Sequence, residues 1–364
     1  MKLPAWEDLV SDQRDVLETP LNQNLFVTGP PGSGKTILAV RRAQMLTDNS
    51  KRVALITFNR MLRRLASILN DESTTVKKTM HSFVWHDYNA RTGGVNLGHT
   101  SSYNYDWIAM IKNLLANKSK YKRWDHLIID EGQDLDSGFF KYAFANSTKL
   151  LTVFADDDQS IGNTGSTLEK IQASANLPNP IILKDNHRNT PEIAAVAEFF
   201  HSGRLPAATV RRNSIASKPR IICGHNLTAT AARIRTFLLT RGGHIGVVTN
   251  KNTTAQAIYD KLKATISNRR IDIYTSKKRN EDSINLDEDG ITILNVESIK
   301  GQEFDALFII DIEDFLPCTD DTMKRVMYML CSRARDYLFM IYKSSSIPNN
   351  IISSLPGENI LERE

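Results

Sequence analysis

One stretch constrains this chain more than any other: Phe26 to Leu38, which reads FVTGPPGSGKTIL. Within it Gly29, Gly34, Lys35 and Thr36 satisfy G-x-x-x-x-G-K-[ST]. A short apolar run, Asn24 to Thr28, stands before the loop, and a helix-like run, Thr36 to Leu46, follows it. A strand, a glycine-rich loop and a helix in that order are what a phosphate-binding loop requires. The glycines let backbone N–H groups turn inward around an anion. The helix N-terminus adds partial positive charge. Gly29, Pro30, Gly32, Ser33 and Gly34 are the expected cradle, with Lys35 reaching the β- and γ-phosphates and the Thr36 hydroxyl ligating Mg²⁺. The expected cofactors are ATP and Mg²⁺.

The chain has 364 residues, enough for about two domains. A net charge of +5 permits an anionic partner without demanding one. Cys223, Cys318 and Cys331 are far apart and form no CxxC pair, which argues against a disulfide scaffold or a zinc site and fits a reducing compartment. The N-terminus MKLPAWEDLV has no apolar core of a secretory signal, and no run approaches the ~20 apolar residues of a membrane span. The expectation is a cytoplasmic enzyme with no membrane partner.

Strand-like runs at Asn24–Gly29, Arg52–Phe58, His126–Asp130, Leu150–Ala155 and Ile181–Lys184 alternate with helix-like runs, beginning with a short amphipathic helix over residues 6 to 18. That alternation predicts a parallel sheet with helices on both faces. The pattern then restarts, with strands expected at Arg220–Gly224, His244–Thr249, Ile291–Val296, Ala306–Ile312 and Leu338–Tyr342. Helices are expected there at Thr228–Leu239, Thr253–Ile266 and Met323–Asp336. The predicted division is 1–184, with a small insertion at about 84–123, and 185–364. The second half has no phosphate loop of its own, and the acidic stretch Glu281–Gly290 reads as a solvated loop.

Two further segments carry chemistry. HLIIDEGQD, His126 to Asp134, runs three apolar residues into two adjacent carboxylates, and ligands of open α/β sheets bind at the carboxyl ends of strands. Asp130 is expected to hold Mg²⁺ through water as a hard oxygen ligand, and Glu131 to orient or deprotonate the attacking water. VFADDDQSI, Val153 to Ile161, is a second strand ending in carboxylates. There Asp157 or Asp158 caps a turn and Gln159 is placed to sense the γ-phosphate.

These three segments, in this order, resemble the UvrD/Rep/PcrA-like branch of superfamily 1 helicases, with DEGQD similar to its motif II and ADDDQSI to its motif III. The likeness continues along the chain. Gln13 in SDQRDVLE resembles the Q motif, which reads the adenine edge. Thr57-Phe58-Asn59 resembles motif Ia, and Thr79-Met80-His81-Ser82-Phe83 the T-x-H-S-F motif. Asn186-His187-Arg188 resembles motif IV, whose arginine reaches the γ-phosphate. SIKGQEF resembles motif V, with Glu303 near the ribose or γ-phosphate and Lys300-Gly301 near the nucleic-acid backbone. YMLCSRAR resembles motif VI, with Arg333 as a second arginine finger. The resemblance implies two RecA-like parallel-sheet domains with the ATP site in the cleft between them. It implies catalytic roles for Glu131, Gln159, Arg188 and Arg333, and nucleic-acid contacts at Phe58, Asn59, Arg60, His81, Phe83 and Lys300.

The chain also departs from that pattern. About forty residues separate Phe83 from the DEGQD strand and about a hundred separate Arg188 from Lys300, so the first insertion is small and the large second one is missing. Gly162-Asn163-Thr164-Gly165 follows Ile161 where the family continues with an aromatic and a Trp, which removes one base platform. Phe58 and Phe83 remain as candidate platforms, each with a core position as its alternative. His187 stands where a Tyr commonly stacks on adenine, and Glu297 where a His is common. Arg60, Arg63, Arg64, Lys77 and Lys78 could follow a phosphate backbone. The run from Lys118 to Arg123 and the cluster Lys277-Lys278-Arg279 read as solvated loops or partner contacts.

The expected function is an ATP- and Mg²⁺-dependent motor on single-stranded nucleic acid, with DNA the expected form and 3′ to 5′ movement implied by the resemblance. The alternative is a regulatory ATPase subunit serving a protein partner, such as a nuclease in a genome-defence or repair assembly.

Overall fold

The computed structural model describes residues 3–58, 75–94, 99–101, 104–116, 121–156, 158, 165–203, 205–275 and 288–364. The chain divides into two compact units, one ending at Lys184 and the other running from Asp185 to Glu364.

The first unit is a six-stranded sheet of β1 (Leu25–Thr28), β2 (Val53–Thr57), β3 (Val76–Thr79), β4 (Trp124–Ile129), β5 (Thr148–Ala155) and β6 (Ile181–Ile182). The order is β3-β2-β4-β5-β1-β6 and every pairing is parallel. Successive side chains of a strand face opposite sides. Phe26, Ala54, Leu127 and Val153 enter one core, whereas Val27, Leu55, Ile128 and Phe154 enter the other. Apolar residues at both parities are what a parallel sheet covered on both faces needs.

The coverings include α1 (Ser11–Glu18) and α2 (Lys35–Asp48) with the second core, and α3 (Met80–Thr92) and α4 (Trp107–Ala116) with the first. Helices α5 (Ser137–Tyr142) and α6 (Leu168–Ala175) complete that first layer. The segment at 84–123 is therefore not an appendage, because Val84, Tyr88, Met110 and Leu114 are buried in the same core as the strands.

Arg42 of α2 is wholly buried. It donates to the carbonyls of Val16, Thr19 and Pro20 at the end of α1 and to Thr152 Oγ1 on β5. Its cation therefore meets the negative end of α1 and ties that helix to the helix behind the glycine-rich loop. Burial lowers its pKa to about 10, which leaves it charged at neutral pH.

After a short strand at Asp185–Asn186, which pairs with Thr209–Val210, the second unit has its first helix, α7 (Pro191–Phe199). Its sheet has seven strands: β7 (Arg220–Ile222), β8 (His244–Thr249), β9 (Arg270–Tyr274), β10 (Gly290–Asn295), β11 (Phe304–Ile309), β12 (Ala334–Ile341) and β13 (Glu362–Arg363). Their order is β9-β10-β8-β11-β12-β7-β13, again wholly parallel. Helices α8 (Leu227–Arg241), α9 (Asn252–Thr265) and α10 (Asp321–Cys331) connect the strands. The expected α/β class with parallel sheets is what the structure has.

Several expected boundaries differ. The helix expected over 6–18 starts at Ser11. The strand expected over Ile181–Lys184 is two residues long. The helix expected over Met323–Asp336 ends at Cys331, because Phe304 N–H binds the Arg333 carbonyl and the chain from Ala334 onward pairs with β11. Strands β3 and β9, VKKT and RIDIY, carry too many charges to read as strands by apolar pattern, and both lie at sheet edges. No described helix is long and apolar enough to cross a membrane.

Candidate active site

The glycine-rich loop leaves β1 and enters α2 at Lys35. Gly34 adopts φ +87°, a left-handed conformation that side chains resist, and so aims the chain into the helix. Gly29 is constrained by space instead, since a Cβ there would sit 2.7 Å from Leu183 Cβ. Gln13 donates from Nε2 to the Ser33 carbonyl at 3.0 Å and accepts from the Val10 N–H at 3.3 Å, which fixes α1 beside the loop.

Lys35 is buried, with Nζ 2.6 Å from the Gly29 carbonyl, 2.9 Å from the Pro30 carbonyl and 3.3 Å from Asp156 Oδ2. Thr36 Oγ1 donates to Asp130 Oδ2 at 2.7 Å, although the two residues are 94 apart in sequence. Burial, then the neighbouring charge of Glu131, pushes Asp130 up to about 7, against the Thr36 hydrogen bond and Lys35. A hydroxyl and a carboxylate meeting at the helix N-terminus form a hard-oxygen pair, and a carboxylate so destabilised as an anion would be relieved by a cation. The donor set therefore fits Mg²⁺, held by Thr36 and Asp130.

Glu131 follows with φ 54°, an unusual left-handed conformation for glutamate, and a 3-10 turn over Gly132–Asp134 comes next. Gln133 bridges two strand ends: its Nε2 donates to Glu131 Oε2 at 2.7 Å, and its Oε1 accepts from the Asp156 N–H at 2.9 Å. Asp156 and Gln133 had no assigned role in the sequence. Asp156 could have been found by its place as the first carboxylate beyond β5, on the sheet edge that bears the loop.

The second unit gathers its own charged residues. The turn after Asn186 packs along residues 332–335, with Arg188 Nη1 donating to the Ser332 carbonyl at 3.3 Å and Thr190 N–H to the Arg335 carbonyl at 3.2 Å. Arg188 Nη2 also pairs with the Glu303 carboxylate. Partial desolvation works to raise the Glu303 pKa, but the charge and hydrogen bond of Arg188, with Arg333 and Arg335, outweigh it and hold the carboxyl below its ordinary value. Arg333 is buried, and His187 is half-buried in the same turn as Arg188. Three segments far apart in sequence thus bring Arg188, Glu303 and Arg333 together.

The proposed nucleic-acid residues fare unevenly. Phe83 is a correction: it is 1% exposed, in the first core, with ring centroids 6.2 Å from Trp124 and 6.3 Å from Phe139. A ring enclosed on all sides has no face to offer a base. Phe58 packs half-buried against the same core. His81 is half-buried, with Nδ1 3.0 Å from the Tyr105 hydroxyl. Lys300 is buried, and Lys77 and Lys78 are half-buried on β3. Asn59, Arg60, Arg63, Arg64, Gln159 and the Lys277-Lys278-Arg279 cluster lie outside the described residues.

Residues 13–164 match the sequence model of the AAA domain family. No curated protein matches. Among solved structures, the C-terminal domain of a possible DNA helicase from Lactobacillus plantarum WCFS1 is similar at 16% identity and a TM-score of 0.35, over 49% of this chain and 98% of that one. The helicase of PRRSV is similar at 13% identity and a TM-score of 0.42, over 92% of this chain and 57% of that one. The family match spans the loop, Asp130, Glu131 and Asp156, so this part of the first unit, with its Lys35–Asp156 and Thr36–Asp130 contacts, is similar to the AAA domain family.

Proposed function

We propose that this protein is an ATP-hydrolysing motor that moves on single-stranded nucleic acid. The observation that carries the reading is the meeting of Lys35, Thr36, Asp130 and Glu131 at one sheet edge of the first unit. Lys35 binds the β- and γ-phosphates, and Thr36 and Asp130 would hold Mg²⁺, which would supply neutralising charge to the phosphates. Glu131, steadied by Gln133, orients the attacking water and takes its proton. Gln13 reads the adenine edge, with His187 stacking on the base and Glu303 near the ribose or γ-phosphate, as the motif resemblance implies. Arg188 and Arg333 neutralise charge that develops as the γ-phosphate leaves. Hydrolysis and loss of the γ-phosphate would let the protein shift its grip on the strand. Phe58, Asn59, Arg60, His81 and Lys300 are the candidate strand contacts. DNA as substrate and 3′ to 5′ movement rest on the motif resemblance alone.

The discriminating experiment is ATP turnover with and without single-stranded DNA or RNA. Strong stimulation that is lost at high salt supports the motor. One observation favours a second reading, a regulatory ATPase subunit of a multi-protein complex. On α4, Ile108 and Leu115 are 69% and 65% exposed and lie seven residues apart, two turns along one face of that helix. Stimulation by a protein partner and not by nucleic acid would favour it.

A further inference from the structure

Asp156 is the most deeply buried charge beside the loop, with its side chain 0% exposed. Contacts hold both its carboxylate and its backbone. Oδ2 faces Lys35 Nζ at 3.3 Å, Oδ1 accepts from the Asp158 N–H at 3.2 Å, and its own N–H is held by Gln133 Oε1 at 2.9 Å. The side chain cannot swing away without breaking both carboxylate contacts. Lys35 divides its ammonium among the Gly29 and Pro30 carbonyls and Asp156, and its four-carbon stem can carry the charge to an entering anion. A phosphate drawing Lys35 toward itself must weaken the Asp156 pair, and must also approach a buried negative charge.

We propose that Asp156 is a positioning residue that competes with phosphate for Lys35 and so limits how tightly the loop holds nucleotide. The inference rests on the reading of the loop as a nucleotide site. Its consequence is product release. A loop with Lys35 and no counter-charge would retain ADP, and Asp156 returns the ammonium to its resting contacts as the phosphates depart. Removing the carboxylate leaves Lys35 with its two carbonyl acceptors, so the cation is not stranded.

The test is ADP affinity of the full chain by calorimetry, with ADP alone in EDTA and with Mg²⁺, for the wild type, Lys35→Ala, Asp156→Asn and Asp156→Ser. Both Asp156 variants should bind ADP about tenfold more tightly than the wild type. The Michaelis constant for ATP should fall in parallel. A purely structural residue weakens binding when removed and does not tighten it. If the wild type binds no ADP, the nucleotide reading fails and this inference with it. If the wild type binds and Lys35→Ala does not, but the Asp156 variants bind equally or more weakly, the nucleotide reading stands and the competition is overturned. Failure of both Asp156 variants to fold would assign the carboxylate to structure and overturn it as well.

Discussion

The two sheets share a plan and differ in what it carries. In the first, β4 lies between β2 and β5; in the second, β11 lies between β8 and β12. Both central strands end in the same turn. Glu131 has φ 54° and precedes a 3-10 turn, Gly132–Asp134; Asp311 has φ 55° and precedes one at Ile312–Phe315. The approach matches too, with Asp130 N–H donating to Ile56 O and Ile310 N–H to Val248 O, each at 2.9 Å. Ile310, however, stands where the first unit has Asp130, and Cys223–Asn226 replaces the Gly-Lys-Thr loop between β7 and α8. A cleft of about 540 Å³ does open at this edge of the second sheet. Within it Lys251 Nζ pairs with Asp314 at 2.8 Å, so those two charges are already matched. The same backbone turn thus presents two adjacent carboxylates beside the glycine-rich loop in one unit and an apolar residue with one carboxylate in the other. The backbone supplies a place; side chains at one or two positions decide whether chemistry occurs there.

This comparison can be broken at several points. The largest expected effect is on Arg333→Ala, which should lower turnover by about 10³-fold with little change in ATP affinity. An unchanged rate would remove the second unit from catalysis. Glu131→Gln should lower turnover by about 10²–10³-fold while nucleotide binding persists, and Asp311→Asn at the matching turn should leave turnover unaltered. Equal losses in the two variants would show that the turn, and not the carboxylate's place beside the loop, matters. Phe83→Ala should cost about 3 kcal/mol of unfolding free energy, because it hollows the first core. A urea titration that finds no loss, together with weakened binding to single strands, would restore Phe83 as a base platform.

The smallest effect is on pH dependence, and here the units agree. His126 Nε2 meets Thr152 Oγ1 at 2.8 Å and His244 Nε2 meets Thr292 Oγ1 at 3.0 Å. Burial, then the charge of Arg42, lowers His126 from 6.5 to about 3; burial, then Arg270, lowers His244 to about 4. The unfolded chain takes up these protons as pH falls through 6.5, and the folded chain only near 3 to 4. Stability is therefore complete above pH 6.5 and is lost as pH falls from there toward 4. For His126, between pH 7 and pH 5, the loss should be on the order of 1–2 kcal/mol. Chemical denaturation of His126→Gln at the two pH values should show a flatter dependence, and an identical slope would deny the histidine its part.

The candidate site of the first unit is legible in the sequence because its residues are neighbours: Gly29 to Thr36, and Asp130 with Glu131. The motif pattern also put Arg188, Glu303 and Arg333 forward, and the fold places them together. The misreadings have a common cause. Phe83 reads equally well as platform or core, and only the enclosing Trp124 and Phe139 decide it. The charged edge strands β3 and β9 gain their hydrogen bonds from a neighbour, which no local pattern reports.

Short-range order along the polypeptide determined the glycine-rich turn, the alternation of strand and helix, and the carboxylates at strand ends. These follow from apolar periodicity and from conformations only certain residues tolerate. Long-range packing decided the rest: that Thr36 meets Asp130, that Asp156 lies against Lys35, and that Glu303 lies beside Arg188. Such contacts join residues 94, 121 and 115 positions apart. They depend on strand order and burial, which are properties of the assembled sheet.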